Sequence, residues 1–305
     1  MSLQALTSRP YAGADDLQKI IGLLCRARPA EWIADYPGPT DLHELLSVPA
    51  VQANTRLWLD KGQIVAFALV DSYNNLLFEV RDANPDLLAE MVDWGVECVK
   101  RKPHGAEEPL TLDASCREAD SDRIALLERH GFVRQPVRSL HLARSLREPI
   151  PPPTLPAGFE IRTLKGRDEV EEWVRLHRAA FGTEHMMVGE RLAMMSGTDY
   201  SPDLDLVMVG PDGRLAAYCM CQIFREENAR TGRNEGYTDP VATHPAHQRR
   251  GLARALLLTG LRLLREHGME TAIMGTSSEN GKMQQAAKAV GFRVESATVW
   301  FAKPV

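Results

Sequence analysis

Six consecutive residues, Gln248-Arg249-Arg250-Gly251-Leu252-Ala253, combine two guanidiniums, a glycine and the first apolar position of a helical run. That run continues through Leu256, Leu257, Leu261 and Leu264, the spacing of an amphipathic helix. A helix that starts here presents unpaired N–H groups and the positive end of its dipole at its first turn. Arg254 adds charge beside that turn, and Gly251 lets an anion approach the backbone closely. The chemistry these residues suit is phosphate binding. Upstream, Val241, Ala242 and Thr243 read as the end of a strand, stopped at Pro245 because proline cannot donate to a sheet ladder. The chain contains neither Gly-x-x-x-x-Gly-Lys-Ser/Thr nor Gly-x-Gly-x-x-Gly, so the two common nucleotide-binding patterns are absent.

The six residues match the Gln/Arg-x-x-Gly-x-Gly/Ala signature, and the chain resembles the GNAT acyltransferases. His244-Pro245 before the signature, and Asn280 with Gly291-Phe292 after it, are similar to that family as well. The resemblance implies acetyl-CoA as cofactor and CoA as product. It assigns the pyrophosphate to the amides and side chains of Gln248, Arg249, Arg250, Gly251, Leu252, Ala253 and Arg254. It gives the pantetheine arm to the backbone of Val241, Ala242 and Thr243, with Asn280 as a further contact. The activity implied is acetyl transfer to the amine of a small molecule by direct attack. Such a reaction needs the thioester positioned, its oxyanion met by a donor, and the attacking ammonium deprotonated.

Glu235 and Asp239 are the candidate bases. With Tyr237 they alternate along residues 235–243 and share a face if that stretch is one regular strand; a solvated strand face is the competing reading. His244 is a further candidate, although beside Pro245 it reads more readily as a loop residue. One departure from the family matters. A tyrosine commonly stands seven residues after the asparagine as general acid, and here that residue is Ala287. The proton for the leaving thiolate then falls to Tyr237, Tyr218 or water, or the thiolate leaves unaided. The methionines from Met186 to Met195 read as core packing before an acceptor pocket.

The elements that must position these residues come in two sets. The hairpin sequence Lys61 to Val70 aligns with Asp212 to Cys221, and Gly131-Phe132 aligns with Gly291-Phe292. Both halves give the same strand–helix order. The expected fold is therefore α/β (α+β): two tandem GNAT folds, each a mixed, mostly antiparallel sheet flanked by helices. Five prolines within residues 148–157 make a stiff linker between domains at 1–147 and 158–305. The layout is similar to tandem GNAT proteins of the mycothiol synthase type. In the first half the cradle is replaced by Glu79-Val-Arg-Asp-Ala-Asn-Pro-Asp-Leu-Leu88, without glycine, and Asp82 and Asp86 would repel a pyrophosphate. The first half is thus expected to be a degenerate domain.

Composition bounds the alternatives. The 305 residues are 44% hydrophobic and 25% charged, ordinary for soluble domains. A net charge of -5 argues against a nucleic-acid partner. No apolar run reaches membrane-spanning length, and no signal peptide opens the chain. Five scattered cysteines give no disulfide framework, and a cytoplasmic location follows as the default. Cys219 and Cys221 read as small core residues on opposite strand faces, and no metal is expected. The partners expected are acetyl-CoA and a small-molecule amine, with the chain a monomer or homodimer. A non-catalytic acyl-CoA binder or sensor is the alternative, suggested by Ala287 and the degenerate first half.

Overall fold

The computed structural model describes residues 6–81, 85–102 and 110–305. Asp82 lies outside these residues. By contact the chain forms two units: residues 1–138 with 229–232 and 297–305, and residues 139–228 with 233–296. In chain order the elements begin with β1 (Thr7–Pro10), α1 (Ala14–Ala27), α2 (Pro39–Leu45), α3 (Pro49–Ala53), β2 (Thr55–Asp60) and β3 (Gln63–Val70). They continue with β4 (Leu76–Val80), α4 (Pro85–Lys100), β5 (Thr111–Arg117), α5 (Ser121–Arg129) and β6 (Val133–Ser145). The later elements are β7 (Glu160–Thr163), α6 (Val170–Phe181), α7 (Val188–Met194), β8 (Asp205–Val209), β9 (Leu215–Met220), α8 (Arg225–Thr231) and β10 (Glu235–Tyr237). The chain closes with β11 (Val241–Thr243), α9 (Leu252–Glu266), β12 (Thr271–Ser277), α10 (Gly281–Ala289) and β13 (Arg293–Pro304). Residues 149–156, the core of the proline-rich stretch, carry no helix or strand.

In the first unit β1, β2, β3 and β4 form an antiparallel sheet in that order. Its two faces are both apolar. Ile20, Ile21 and Leu24 of α1 pack with Leu57, Phe67 and Leu69 on one side. Leu88, Met91 and Val92 of α4 pack with Trp58, Ala66 and Ala68 on the other. Each fully buried side chain of this size contributes about 1.5–3 kcal/mol. Helices on both faces explain why β3 reads as a nearly unbroken apolar run. The last strand of the sequence, β13, pairs antiparallel with β5, so Val299 and Phe301 belong to this unit's core.

The second unit repeats the plan. β7, β8, β9 and β11 form an antiparallel sheet. Trp173, Val174 and Leu176 of α6 pack against Val207, Tyr218 and Ala242 on one face. Residues Leu256, Leu257, Leu261 and Leu264 of α9 are fully buried. A Cβ added at Gly260 would fall 2.6 Å from the Cys221 sulfur, so this helix lies directly on the opposite face. Cys219 and Cys221 therefore share a face, contrary to the sequence reading: residues two apart in a strand point the same way, and their sulfurs lie 3.8 Å apart. A buried ion pair between Arg191 and Asp205, to which the Tyr200 hydroxyl also donates, ties α7 to β8.

The stretch 235–243 is two strands, not one. β10 pairs in parallel with β12, whereas β11 pairs antiparallel with β9. Pro240 separates them, since it has no N–H to donate, and the Asp239–Pro240 peptide bond is cis. The first strand follows one neighbour and the second another. The expected alternation of Glu235, Tyr237 and Asp239 on one face is lost at this break. β12 also pairs antiparallel with residues 139–145 of β6.

Candidate active site

The break opens the sheet between β11 and β12, and two adjoining cavities occupy the opening. The larger, about 580 Å³, is walled by β11, the turn before α9, the first turn of α9, and α10. The smaller, about 330 Å³, is walled by Asp239, Pro240 and the second half of β12. Phe181, Val241, Asn280 and Met283 line both, so the two form one continuous slot.

One end of the slot is built for anions. Gly251 caps α9 with φ 81°, a left-handed conformation that favours glycine. No side chain caps the first turn, so its amides remain for a ligand. Arg249 also has positive φ, 62°, and this pair of turned residues wraps the backbone around the helix end. Gln248, Arg249, Gly251, Leu252, Ala253 and Arg254 all line the cavity, as do Val241, Ala242 and Thr243. Arg250 is exposed and is not on its wall. Asn280 lines the slot but spends its Oδ1 on the Met283 N–H at 3.1 Å, which leaves its Nδ2 for a ligand.

Among the wall residues not singled out from sequence are Phe181, His247, Lys282 and Gln285. Lys282 follows Asn280 by two residues and adds a cation at the start of α10, a position the phosphate reading could have flagged. His247 precedes the signature by one residue, and its buried Nδ1 has no partner. The other two are set by packing, which short motifs do not encode.

The other end carries Asp239. Its Oδ2 accepts from the Gly275 N–H at 3.1 Å, and its buried Oδ1 has no partner. Burial pushes its pKa up to about 6, only partly offset by the Gly275 hydrogen bond. Glu235 and Tyr237 do not line the slot. Glu235 pairs with Arg233 at 3.2 Å, and burial raises its pKa. Tyr237 packs its ring on Phe224 at 5.0 Å and donates to Glu227 at 2.6 Å. Burial and the Glu227 carboxylate hold that phenol protonated well above its ordinary range. Tyr218 is fully buried, with its hydroxyl 2.7 Å from His177 Nδ1. His244 accepts from the Ala246 N–H at 3.2 Å and shapes the turn. Ala287 is fully buried in α10. The methionines divide: Met186 and Met195 pack against the α6 core, whereas Met187 and Met194 are exposed.

The repeat lets the first unit be read in the same register. Thr243 pairs with Ala217 and Val80 with Ala66, equivalent positions of the two hairpins. By that register Glu79 stands where the slot has Ala242. Asp120 caps α5 through the Arg123 N–H as Asn280 caps α10 through Met283, so Arg123 stands where the slot has Met283. Glu79 accepts from Arg28 Nε at 2.6 Å and from Arg123 Nη1 at 3.0 Å. Burial alone would raise the Glu79 pKa, but the two guanidiniums outweigh it and hold it low. The cavity left at this position is about 110 Å³.

Residues 170–292 match the acetyltransferase (GNAT) family model. Over these residues the chain carries a GNAT acetyltransferase domain. A mycothiol acetyltransferase of Thermomonospora curvata is 28% identical over 275 residues, 88% of this chain and 89% of that protein. One of Thermobispora bispora is 28% identical over 220 residues, 70% and 69% of the two chains. Among solved structures, a GCN5-related N-acetyltransferase from Sphaerobacter thermophilus has a TM-score of 0.74 at 21% identity, over 98% of this chain and 95% of that one. A tandem GNAT protein from the clavulanic acid biosynthesis pathway has the same TM-score at 17% identity, over 98% of both chains. At these identities the structural likeness speaks for the fold. The fold is a mixed α/β one of antiparallel sheets flanked by helices, and the match over residues 170–292 together with the curated relatives makes the protein an acyltransferase. Among the described residues no helix is long and apolar enough to cross a membrane, and no group of three or more His, Cys, Asp or Glu can hold a metal.

Proposed function

We propose that the second unit binds acetyl-CoA in this slot and transfers its acetyl group to the amine of a small molecule, with Asp239 as base. The observation that carries the reading is the pairing of ends. An uncapped helix N-terminus with nearby arginines takes a polyanion, and a half-buried carboxylate with one unpartnered oxygen stands at the far wall. Acetyl-CoA, when bound, supplies the activated acyl group. The residues of the chain hold its phosphates at Gly251 to Arg254, narrow the slot at Phe181 and Met283, and take the ammonium proton at Asp239 Oδ1. Water or the departing thiolate itself meets the remaining proton balance, because neither Tyr237 nor Tyr218 lines the slot. The names of the relatives support a small-molecule acceptor over a protein. The free thiols of all five cysteines are compatible with a reducing cytoplasm.

The test is release of free CoA thiol from acetyl-CoA in the presence of a panel of small primary amines. Turnover dependent on one amine class is the expected result. Absence of release with every amine, from protein that binds acetyl-CoA, would favour the non-catalytic binder.

We also propose a single cofactor site per chain. Glu79 with its two arginines fills the register position of the slot in the first unit, where no Gln-x-x-Gly-x-Ala stands. Calorimetric titration of the full chain with acetyl-CoA is expected to give a stoichiometry near one. Two equivalent sites would show that the first unit opens for the cofactor.

A further inference from the structure

The first unit carries a second concavity, which adjoins the cavity beside Glu79 through Tyr36, and its wall chemistry is unusual for an idle surface. It has a volume of about 250 Å³ and is lined by α2, the start of α3 and the β3–β4 turn. Among the described residues of this unit four large hydrophobic side chains are exposed: Tyr36, Val48, Tyr73 and Val133. The first three line this concavity. Exposed apolar groups gathered in one place, in a concave site, are the mark of a binding surface.

Three carboxylates share the wall: Asp41, Glu44 and Asp71. Asp41 accepts from the Gly38 N–H at 2.7 Å, and Asp71 accepts from the N–H groups of Tyr73 and Asn75 at 2.8 and 2.9 Å. Among the described residues no salt bridge joins Asp41 or Glu44 to a cationic side chain. Lys102 bonds the Asp71 carbonyl and Asn74, on the Asp71 side of the wall, while Arg28, whose charge reaches Asp41, spends its hydrogen bonds on Glu79 and on the carbonyls of Asp35 and Pro37. Burial raises the pKa of both Asp41 and Glu44, and at Asp41 the Gly38 hydrogen bond and the Arg28 charge offset it only in part.

We propose that this concavity is a binding site for a small organic cation, an ammonium carried on an apolar or aromatic skeleton. The carboxylates exclude an anion. A neutral apolar ligand would cover them without supplying charge, which costs free energy. A metal ion finds no adequate ligand group among the described residues. An organic cation satisfies both wall chemistries: its charge faces Asp41 and Glu44, and its skeleton packs on Val48 and between the tyrosine rings, which attract cations through their faces. The assignment does not depend on acetyl transfer by the second unit.

The test uses the full-length chain and a matched pair of probes, 2-phenylethylammonium and 2-phenylethanol, followed by amide chemical shifts. The ammonium is expected to saturate shifts confined to residues 41–48 and 71–73, with the alcohol weaker by about tenfold. Tyr73 is 82% exposed and makes no core contact, so Tyr73→Ala leaves the fold intact and is expected to weaken the ammonium about tenfold. Glu44→Gln, also on the surface, is expected to act in the same direction. Equal affinity for the alcohol, unchanged affinity in both variants, or shifts only at the second-unit slot would overturn the assignment. Concentration-dependent broadening at Tyr73 without any probe would give the surface to a second copy of the chain and overturn it equally.

Discussion

Replacing Gly251 with glutamate is expected to abolish acetyl-CoA binding while the chain remains folded. The backbone at Gly251 is left-handed, so any side chain there carries strain of about 1 kcal/mol or somewhat more. A Cβ built at this position meets nothing within 4 Å, so no steric clash adds to the strain. Electrostatics decides the outcome. The new carboxylate stands at the helix N-terminus where a phosphate charge belongs, and two like charges about 4 Å apart repel by about 4 kcal/mol at the effective dielectric of a protein surface. That corresponds to a loss of roughly a thousandfold in affinity. Gly251→Ala separates the two effects: it carries the strain without the charge and is expected to weaken binding far less. Calorimetric titration reads the affinity, and thermal melting reads the fold. A Gly251→Glu variant that melts near the parent and binds acetyl-CoA as tightly would remove the phosphate end of the slot from this helix.

That end was legible in sequence because it is local. Residues 248–254 are consecutive, glycine marks a backbone conformation, and helical periodicity after Leu252 fixes the element that follows. The repeat was legible for the same reason: Lys61 to Val70 and Asp212 to Cys221 are hairpins written in turn residues and apolar runs. What failed was continuity. Residues 235–243 look like one strand because β-prone residues flank a single proline, and the divergence of β10 toward β12 and β11 toward β9 depends on partners remote in sequence. The placing of Glu235 and Tyr237 on one face with Asp239 failed with it, since their partners, Arg233 and Glu227, are set by the path of α8, a short polar helix with no apolar periodicity to announce it. The last strand was found but not its place, because nothing in residues 293–304 names β5 as the strand it pairs with.

Asp239→Asn is the second large effect expected, and it acts on rate and not on affinity. An amine acceptor is mostly protonated near neutral pH, so its proton must leave before attack. Asp239 has the two properties a base there requires. It lines the slot with one carboxylate oxygen, Oδ1, buried and unpartnered, and its pKa is raised by burial to about 6, near the working pH and still mostly ionised above it. Asparagine keeps the shape and can still accept from the Gly275 N–H through its own oxygen, so the slot survives the change. Turnover on a verified amine is expected to fall by about 10²- to 10⁴-fold, the usual worth of general base catalysis, with acetyl-CoA affinity unchanged. The pH dependence follows from the sign of the shift. A base must be unprotonated to act, so parent activity is expected to fall as pH drops through about 6, and the variant is expected to lose that limb. Glu235→Gln serves as the contrast, because Glu235 already holds Arg233 and does not line the slot; its rate is expected to stay near the parent's. Full activity in Asp239→Asn with loss in Glu235→Gln would move the base outward to β10. Full activity in both, and in the double variant, would mean that the enzyme draws the neutral fraction of its amine from solution and that Asp239 only holds Gly275 in place.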